Sequence, residues 1–213
     1  MNNKKIYIVG GHGSNYANWM KGTLVDTLDE ADLVVFTGGE DVHPSLYNEP
    51  VGPRTMTNIN RDLFEKRVFE TAVKKNKKII GICRGSQFTG AMSGARLIQH
   101  QDNPSYIHPI HTSNGKTIRI TSTHHQAQFP YNLKDDEYKI LGWTEGLSKV
   151  HLNGLDKEIA EVPFKEVEIC YYPRTNVLAI QGHPEMIYNS KEQFSETFEY
   201  LDEILDKHMN DKL

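Results

Sequence analysis

The sequence predicts an α/β fold in which a central, mostly parallel sheet lies between helices and continues into an antiparallel extension. Two observations support this fold class. In the first half of the chain, short β-branched apolar runs that end in glycine alternate with segments of helical spacing, which is typical of parallel strands joined by right-handed crossovers. In the second half, short segments of alternating polarity follow one another with turn residues between them, which is typical of antiparallel pairing.

The first half supplies three predicted strands and the helices between them. The strands are predicted at residues 4–11, 32–39 and 77–82. The stretch 12–31 is short, with room for a helix at 16–21 and a small strand at 23–25. A long helix is predicted at 58–75, with asparagines available as caps. Its core-facing side is expected to carry Phe64, Val68, Ala72 and Val73.

The second half is predicted to form four further strands and a closing helix. The strands are expected at residues 117–122, 138–143, 166–172 and 177–181. Ser190 and Gln193 form a capping-box pattern at the start of the closing helix. Its expected core face carries Phe194, Phe198, Leu201 and Leu205. No internal repeat or linker-like stretch interrupts residues 1–213, which predicts a single domain.

Length and composition restrict the class of protein. A chain of 213 residues with 38% hydrophobic and 24% charged residues is typical of globular proteins with one buried core. No run approaches the about 20 apolar residues of a membrane span, so a cytoplasmic location is expected. The net charge of −4 gives no electrostatic reason to expect nucleic acid or a membrane surface as a partner. Two cysteines cannot build a disulfide framework, which leaves free thiols in a reduced compartment.

One predicted turn places a cysteine between two glycines. An apolar run ends at Cys83, which stands between Gly81 and Gly85 and precedes a helical segment. Glycines remove the side chains that would crowd a sharp strand-to-helix turn, so Cys83 is expected at an exposed corner above the start of a helix. The N–H groups and the positive dipole end of that helix stabilise a thiolate. A free cysteine after a buried strand is also often a small core residue, and this stretch alone leaves both interpretations open.

Five motifs follow one another along the chain. They are FTGGEDVHP at residues 36–44 with Tyr47, RDLFE at 61–65, GICRGSQ at 81–87, STHHQ at 122–126 and QGHPE at 181–185. Together they resemble the class I glutamine amidotransferase superfamily, and most closely its γ-glutamyl hydrolase branch, peptidase family C26. The resemblance covers about two thirds of the chain and implies a flavodoxin-like α/β/α fold of three layers.

The resemblance implies a Cys-His-Glu triad. It makes Cys83 the nucleophile, His183 its base with a pKa near neutral, and Glu185 the group that orients the imidazole. The backbone N–H groups of Gly39 and Arg84 would form the oxyanion hole. The expected reaction is hydrolysis of a γ-glutamyl amide through a γ-glutamyl thioester, with release of glutamate and with no cofactor or metal.

The α-amino and α-carboxylate groups of a γ-glutamyl substrate need polar partners when they are enclosed. By resemblance these partners are Gln87 and the backbone around Ser122 and Thr123, with His124 as a further contact. Gln87 is also consistent with an ordinary polar helix residue, and His124 with a structural hydrogen-bond partner at a strand end. The sequence leaves these alternatives open.

Three other functions compete with this interpretation. A glutaminase subunit that supplies ammonia to a separate synthetase would use the same triad, because the acyl half of both reactions is the same. A catalytically inactive binding module would keep the triad positions without their geometry. A zinc site would draw on loosely spaced residues, namely His108, His111, His124 or His125 with Cys83 or Cys170.

The chain also departs from the family pattern at two places. The stretch 12–31 is shorter than usual, and Gly182 stands where a bulky aromatic residue commonly precedes the histidine. Both places lie near the expected substrate entrance. The reaction type is therefore expected to stay the same, with a wider pocket for a larger leaving amine.

Overall fold

The structure, a computed structural model, describes residues 4–11, 13–102, 106–159 and 165–213. Its helices are α1 (Ser14–Met20), α2 (Ile59–Lys74), α3 (Arg84–Met92), α4 (Pro184–Ile187) and α5 (Ser195–Met209). Its strands are β1 (Lys4–Val9), β2 (Gly22–Leu24), β3 (Leu33–Phe36), β4 (Lys78–Ile82), β5 (Arg96–Ile98), β6 (His100–Gln101), β7 (Ile107–Thr112), β8 (Thr117–Thr121), β9 (Ala127–Phe129), β10 (Lys139–Glu145), β11 (His151–Leu152), β12 (Lys165–Tyr172) and β13 (Val177–Ile180). No helix in the described ranges combines the length and the apolar composition needed to cross a bilayer. His12, which opens the short stretch 12–31, lies outside these ranges.

The helices flank a mixed sheet that has nine strands within the described ranges. The strand order is β2-β1-β3-β4-β13-β12-β10-β7-β8. Neighbouring strands run parallel from β2 to β13. They run antiparallel from β13 to β8. The predicted fold class is therefore confirmed, and β13 is the strand at which the two halves meet.

The core covers both faces of the sheet because alternate residues of a strand point to opposite faces. Ile80 and Ile82 of β4 pack with α1, α4 and α5 on one face, whereas Ile79 packs with α2 and α3 on the other. Strands β3 and β13 are buried along their whole length, as expected for parallel strands that helices cover on both sides. These packing faces produce three layers.

Helix α2 differs from its prediction in the residues that it buries. Asn58 caps it as expected, since its side chain accepts a hydrogen bond from the Arg61 N–H at 3.2 Å. Ala72 is buried as expected, but Phe64 is 48% exposed, and the buried face also carries Asp62 and Glu65. The predicted face was wrong at Phe64. Hydrophobic periodicity could not show that two carboxylates turn inward to meet a cation of α3.

The closing helix starts later than its sequence pattern predicts. Residues Tyr188–Phe194 form 3₁₀ turns, and Ser190 has a non-helical backbone, so the capping box is absent. The chain is held here by β8 instead, because Arg119 donates to the Gln193 carbonyl at 3.0 Å and Thr197 donates to the Arg119 carbonyl at 2.8 Å. The predicted core face is confirmed, since Phe194, which precedes the helix, and Phe198, Leu201 and Leu205 are all buried.

Strand β7 was not predicted, because Pro109 interrupts its pattern. It pairs with β8 over five residues, including Ile110 opposite Ile118. Its pairing with β10 reaches only Thr112 and His111. Proline has no backbone N–H to donate. Pro109 therefore fits here, because it lies outside the two residues of β7 that pair with β10.

Candidate active site

Cys83 forms a strained elbow between β4 and α3. Its φ of 52° and ψ of −113° are unfavourable for a residue with a Cβ. A Cβ on Gly85 would collide with the Phe36 carbonyl, and one on Gly81 would collide with the Gly85 carbonyl. Both glycines are therefore needed for the turn. Cys83 is only 7% exposed, so the expectation of an exposed corner was wrong and the thiol is enclosed.

His183 and Glu185 follow β13, which lies beside β4. The Cys83 N–H donates to the Ile180 carbonyl at 2.9 Å, and this bond aligns the ends of the two strands. His183 Nδ1 lies 2.6 Å from Glu185 Oε1, and the His183 ring and the Cys83 side chain both lie within 4 Å of the place that a Cβ on Gly38 would occupy. Because Nδ1 donates to the carboxylate, Nε2 is the nitrogen left for the thiol. The His183 N–H donates to Thr121 Oγ1 at 2.6 Å, which holds the segment from β8.

The electrostatic surroundings of His183 keep its imidazole protonated. Burial lowers its pKa, but hydrogen bonds to Cys83 and Glu185 and the charges of these two groups outweigh burial and raise the pKa to about 10. The sequence predicts a base with a pKa near neutral, and the raised pKa corrects that expectation. The reason is that Cys83 and Glu185 adjoin one ring in a buried site.

The predicted oxyanion residues lie on two neighbouring segments. Residues 37–40 follow β3, which pairs with β4 up to Phe36 and Gly81, and Arg84 is the first residue of α3. A Cβ on Gly38 would lie 3.0 Å from His183 Cε1, so this loop passes directly against the imidazole. Gly39 has a φ of +147°, which favours glycine. The loop and the elbow therefore meet at one edge of the sheet.

Two of the predicted substrate residues meet at one backbone carbonyl. Gln87 Nε2 donates to the Gln126 carbonyl at 2.8 Å, and His124 Nδ1 lies 2.8 Å from the same oxygen. Ser122 and His124 are buried, whereas Thr123 is exposed. Burial lowers the pKa of His124, which keeps its imidazole neutral. The structure thus buries three of the four predicted substrate residues and leaves Thr123 at the surface.

Comparison with known proteins shows the family to which this chain belongs. The family model of peptidase C26 matches residues 17–129, which is more than half of the chain. The chain belongs to the peptidase C26 family. It is accordingly an enzyme of the glutamine amidotransferase-like superfamily, with amide hydrolase or amidotransferase activity, and the resemblance inferred from the motifs is confirmed.

Relatives and solved structures agree with the C26 assignment. The glutamine amidotransferase-like protein YvdE of Lactococcus lactis is 31% identical over 172 residues, which cover 79% of this chain and 72% of that protein. Protein NtpR of Enterococcus hirae is 27% identical over 200 residues, which cover 82% and 75%. A glutamine amidotransferase of Thermotoga maritima, solved as a crystal structure, has a TM-score of 0.55 at 14% identity and covers 98% of this chain and 96% of its own. At that identity the structural likeness supports the fold.

Tyr16 is a residue of this C26 site that the motifs did not reveal. It lies on α1, is 8% exposed, and belongs to the same buried cluster as Cys83. Burial and the nearby charges of Glu185 and Cys83 raise the pKa of Tyr16, so the hydroxyl stays protonated and can donate. An aromatic residue in a short helix is ordinarily a core residue, and no sequence signal distinguished this one.

Two of the histidines of the zinc alternative have carboxylate partners in the fold. Among the described residues, no group of three or more histidine, cysteine, aspartate or glutamate side chains is arranged to hold a metal ion. His108 and His111 lie on β7 three residues apart, which places them on opposite faces of the strand. His108 bonds Glu168 at 3.2 Å, while His125 bonds Asp41 at 3.2 Å.

Gly182 does not widen the pocket of this C26 protein. The side chain of Ile120, which is fully buried on β8, occupies the space where a side chain at residue 182 would lie. The Thr121 carbonyl closes the same space from the backbone side. The expected wider pocket was therefore wrong at this position, because a neighbouring strand fills the room that the missing side chain leaves.

Gly182→Ala is expected to lower the free energy of unfolding by about 1 to 3 kcal/mol, since the added Cβ would overlap Ile120 and the Thr121 carbonyl. Urea unfolding of the variant beside the wild type measures the change. Combined with Ile120→Val, which shortens the opposing side chain, the cost is expected to fall in a double-mutant cycle. Equal stability of Gly182→Ala and the wild type would contradict this packing.

Proposed function

We propose that the protein hydrolyses γ-glutamyl amides through a thioester on Cys83. The observation that carries the proposal is the meeting of a strained, glycine-flanked cysteine with a His183–Glu185 pair at the ends of two adjacent parallel strands. A nucleophile, a base and a group that orients the base are the three parts that acyl transfer from an amide requires.

The proposed reaction has two halves. In the first, the Cys83 thiolate attacks the γ-carbonyl carbon, and the carbonyl oxygen becomes an oxyanion that accepts bonds from the Gly39 and Arg84 N–H groups. The His183 imidazolium then gives its proton to the departing nitrogen as the C–N bond breaks, which leaves a γ-glutamyl thioester. In the second half, His183 takes a proton from water, the hydroxide attacks the thioester, and glutamate leaves as the thiolate reforms.

The polar ends of the γ-glutamyl group are assigned to the region around Gln87. Gln87 and His124 are buried and share the Gln126 carbonyl, and the side-chain amide of Gln126 has no hydrogen-bond partner within the described residues. Buried polar atoms without partners cost free energy, so an α-amino or α-carboxylate group would supply bonds that this region lacks. By the family resemblance, the backbone around Ser122 and Thr123 is assigned to the same polar ends.

The second candidate is a glutaminase that supplies ammonia to a separate synthetase. A crystal structure similar to this chain, described as one subunit of the GMP synthase of Thermoplasma acidophilum, has a TM-score of 0.56 at 17% identity and covers 87% of this chain and 86% of its own. Both candidates share the acyl-enzyme, and they differ in the leaving group. The hydrolase is favoured because the FTGGEDVHP, RDLFE and STHHQ motifs resemble the γ-glutamyl hydrolase branch.

A substrate panel separates the two candidates. The purified protein is offered γ-glutamyl amines and glutamine at matched concentrations, and release of glutamate and of ammonia is followed separately. The hydrolase is expected to show a higher kcat/KM for γ-glutamyl amines than for glutamine. Rapid ammonia release from glutamine alone would favour the glutaminase, and turnover of neither class would overturn the proposal.

The activity is expected to persist to about pH 10, because the raised pKa of His183 keeps the imidazolium that protonates the leaving group. Above that pH the proton is lost and kcat/KM should fall. The same shift affects folding, since the stability that protonated His183 contributes is complete below its ordinary pKa near 6.5 and is lost as pH rises through about 10. A pH profile of kcat/KM for a γ-glutamyl amide measures the first effect.

Glu185→Gln is the matched variant for this profile. The amide keeps the size of the side chain but removes the negative charge that raises the pKa of His183. The alkaline limb is expected to move toward neutral pH in the variant. A wild-type limb near pH 7, or identical limbs in the two proteins, would contradict the assigned roles of His183 and Glu185.

A further inference from the structure

We propose that one turn of α2, residues 61–65, aligns the two halves of the oxyanion hole, and that Arg61 is the positioning residue that orients the Gly39 N–H. The inference rests on the proposed function, because it takes Gly39 and Arg84 as the oxyanion donors. These donors belong to different segments, a loop after β3 and the first residue of α3. Their relative position therefore depends on whatever connects the two segments.

Arg61 binds the loop through several of its guanidinium nitrogens. Nη2 donates to the Gly38 carbonyl at 2.9 Å and lies 3.4 Å from the Thr37 carbonyl, and Nη1 donates to Glu40 Oε2 at 3.1 Å. The side chain is 19% exposed, so its bonds to the loop backbone are largely protected from water, whereas the Glu40 side chain is 55% exposed. The guanidinium thus holds three parts of the loop 37–40 at once.

The bond to the Gly38 carbonyl sets the direction of the Gly39 N–H. These two groups belong to one peptide unit, and in a planar trans peptide the C=O and the N–H point in opposite directions. Glycines at both positions leave this peptide unusually free to rotate. By holding the carbonyl, Arg61 turns the N–H to the opposite side of the loop, away from the guanidinium.

The same turn of α2 holds the elbow. Glu65 Oε1 accepts from Arg61 Nε at 2.8 Å, while Glu65 Oε2 accepts from Arg84 Nη1. Asp62 Oδ1 accepts from Arg84 Nη2, and Asp62 Oδ2 accepts from the His43 N–H at 2.9 Å. Glu65 is therefore a single side chain that joins the cation holding the loop to the cation that follows Cys83.

Glycines at two positions leave space for the Arg61 guanidinium. A Cβ on Gly39 would collide with Arg61 Nη1, and a Cβ on Gly10, at the end of β1, would lie 2.7 Å from Arg61 Nη2. Gly10 after β1 and Gly39 after β3 therefore leave room for the guanidinium. Buried ion pairs contribute little net stability compared with apolar packing, whereas they hold their partners in a definite orientation. Orientation of the loop against the elbow is the role that these contacts serve.

The test compares two reactions of the same thiol in Arg61→Ala and Arg61→Lys. Amide hydrolysis forms an oxyanion, whereas alkylation of Cys83 by iodoacetamide does not. In Arg61→Ala, kcat for a γ-glutamyl amide is expected to fall by about 10²-fold with KM little changed, which is the loss seen when one oxyanion donor is misplaced. The rate of alkylation is expected to stay at the wild-type value.

Arg61→Lys is a more conservative variant, which tests the same role if Arg61→Ala fails to fold. Lysine keeps the cation but lacks the planar fork that bonds the Gly38 carbonyl and Glu65 together, so the same selective loss of kcat is expected. Arg67→Ala, on an exposed position of α2, is the matched control and should retain both rates. Wild-type kcat in both Arg61 variants, or an equal fall in hydrolysis and alkylation, would overturn the inference. Absence of turnover in the wild type would instead overturn the proposed function, and the inference with it.

Discussion

Replacing Cys83 with alanine is expected to abolish turnover of γ-glutamyl amides and leave the fold intact. Alanine offers no atom that can attack the γ-carbonyl, and removal of a nucleophile that forms a covalent intermediate leaves only the residual effect of binding and the oxyanion hole. A loss of about 10⁴-fold or more in kcat is expected on this ground. Folding is expected to persist because alanine keeps the Cβ that the elbow already accommodates.

Cys170→Ala is the matched control for this variant. Cys170 lies fully buried on β12, and burial raises the pKa of its thiol to about 12, so it takes no part as a thiolate near neutral pH. This variant should keep its activity and lose some stability from the small cavity. Mass spectrometry after brief exposure to a γ-glutamyl amide should find the acyl group on Cys83 in the wild type. Turnover retained by Cys83→Ala would exclude the thioester mechanism.

Arg84→Met is expected to lower the free energy of unfolding by about 3 to 5 kcal/mol. Arg84 is 2% exposed and pairs with Asp62 and Glu65, both of which are fully buried. Removing the cation leaves Asp62 without a cationic partner and Glu65 with Arg61 alone, and a broken buried ion pair costs about this much. Chemical unfolding at neutral pH measures the difference.

The triple variant Arg84→Met/Asp62→Asn/Glu65→Gln separates charge from shape. Neutral amides remove the uncompensated charges, so the triple variant is expected to recover part of the stability that the single variant loses. Wild-type stability in Arg84→Met would contradict the view that this network carries buried charge. A triple variant that is less stable than the single one would show that hydrogen-bond geometry, and not charge, dominates.

The predicted elbow illustrates what neighbouring residues can reveal. Gly81 and Gly85 on either side of Cys83 predicted a sharp turn, and the structure supplies the reason, since neither position has room for a Cβ. The strands of the parallel half were also predictable, because a buried strand is a short run of apolar residues that glycine or a turn ends. Their observed ends lie a few residues from the predicted ones.

The candidate site was predictable only in part. Motif order pointed to Cys83, His183 and Glu185, and the structure places them together, while their catalytic roles stay predictions. Tyr16 was missed because an aromatic residue on a short helix has the pattern of a core residue. The wrong expectations had a common origin as well. The inward-facing carboxylates of α2 pair with a cation in another helix, and the room at Gly182 depends on a side chain of another strand.

By itself, the sequence determined the α/β class, the strained turn at Cys83 and the family, because these depend on residues that are close in the chain or on motifs in a set order. Only the tertiary structure decided that Arg61 reaches the Gly38 carbonyl, that Glu65 joins two cations, and that His183 keeps its proton. Those properties arise from side chains that meet across the carboxyl edge of the sheet. Local periodicity carries no information about such meetings, because the charge and burial that one residue experiences are set by its distant neighbours.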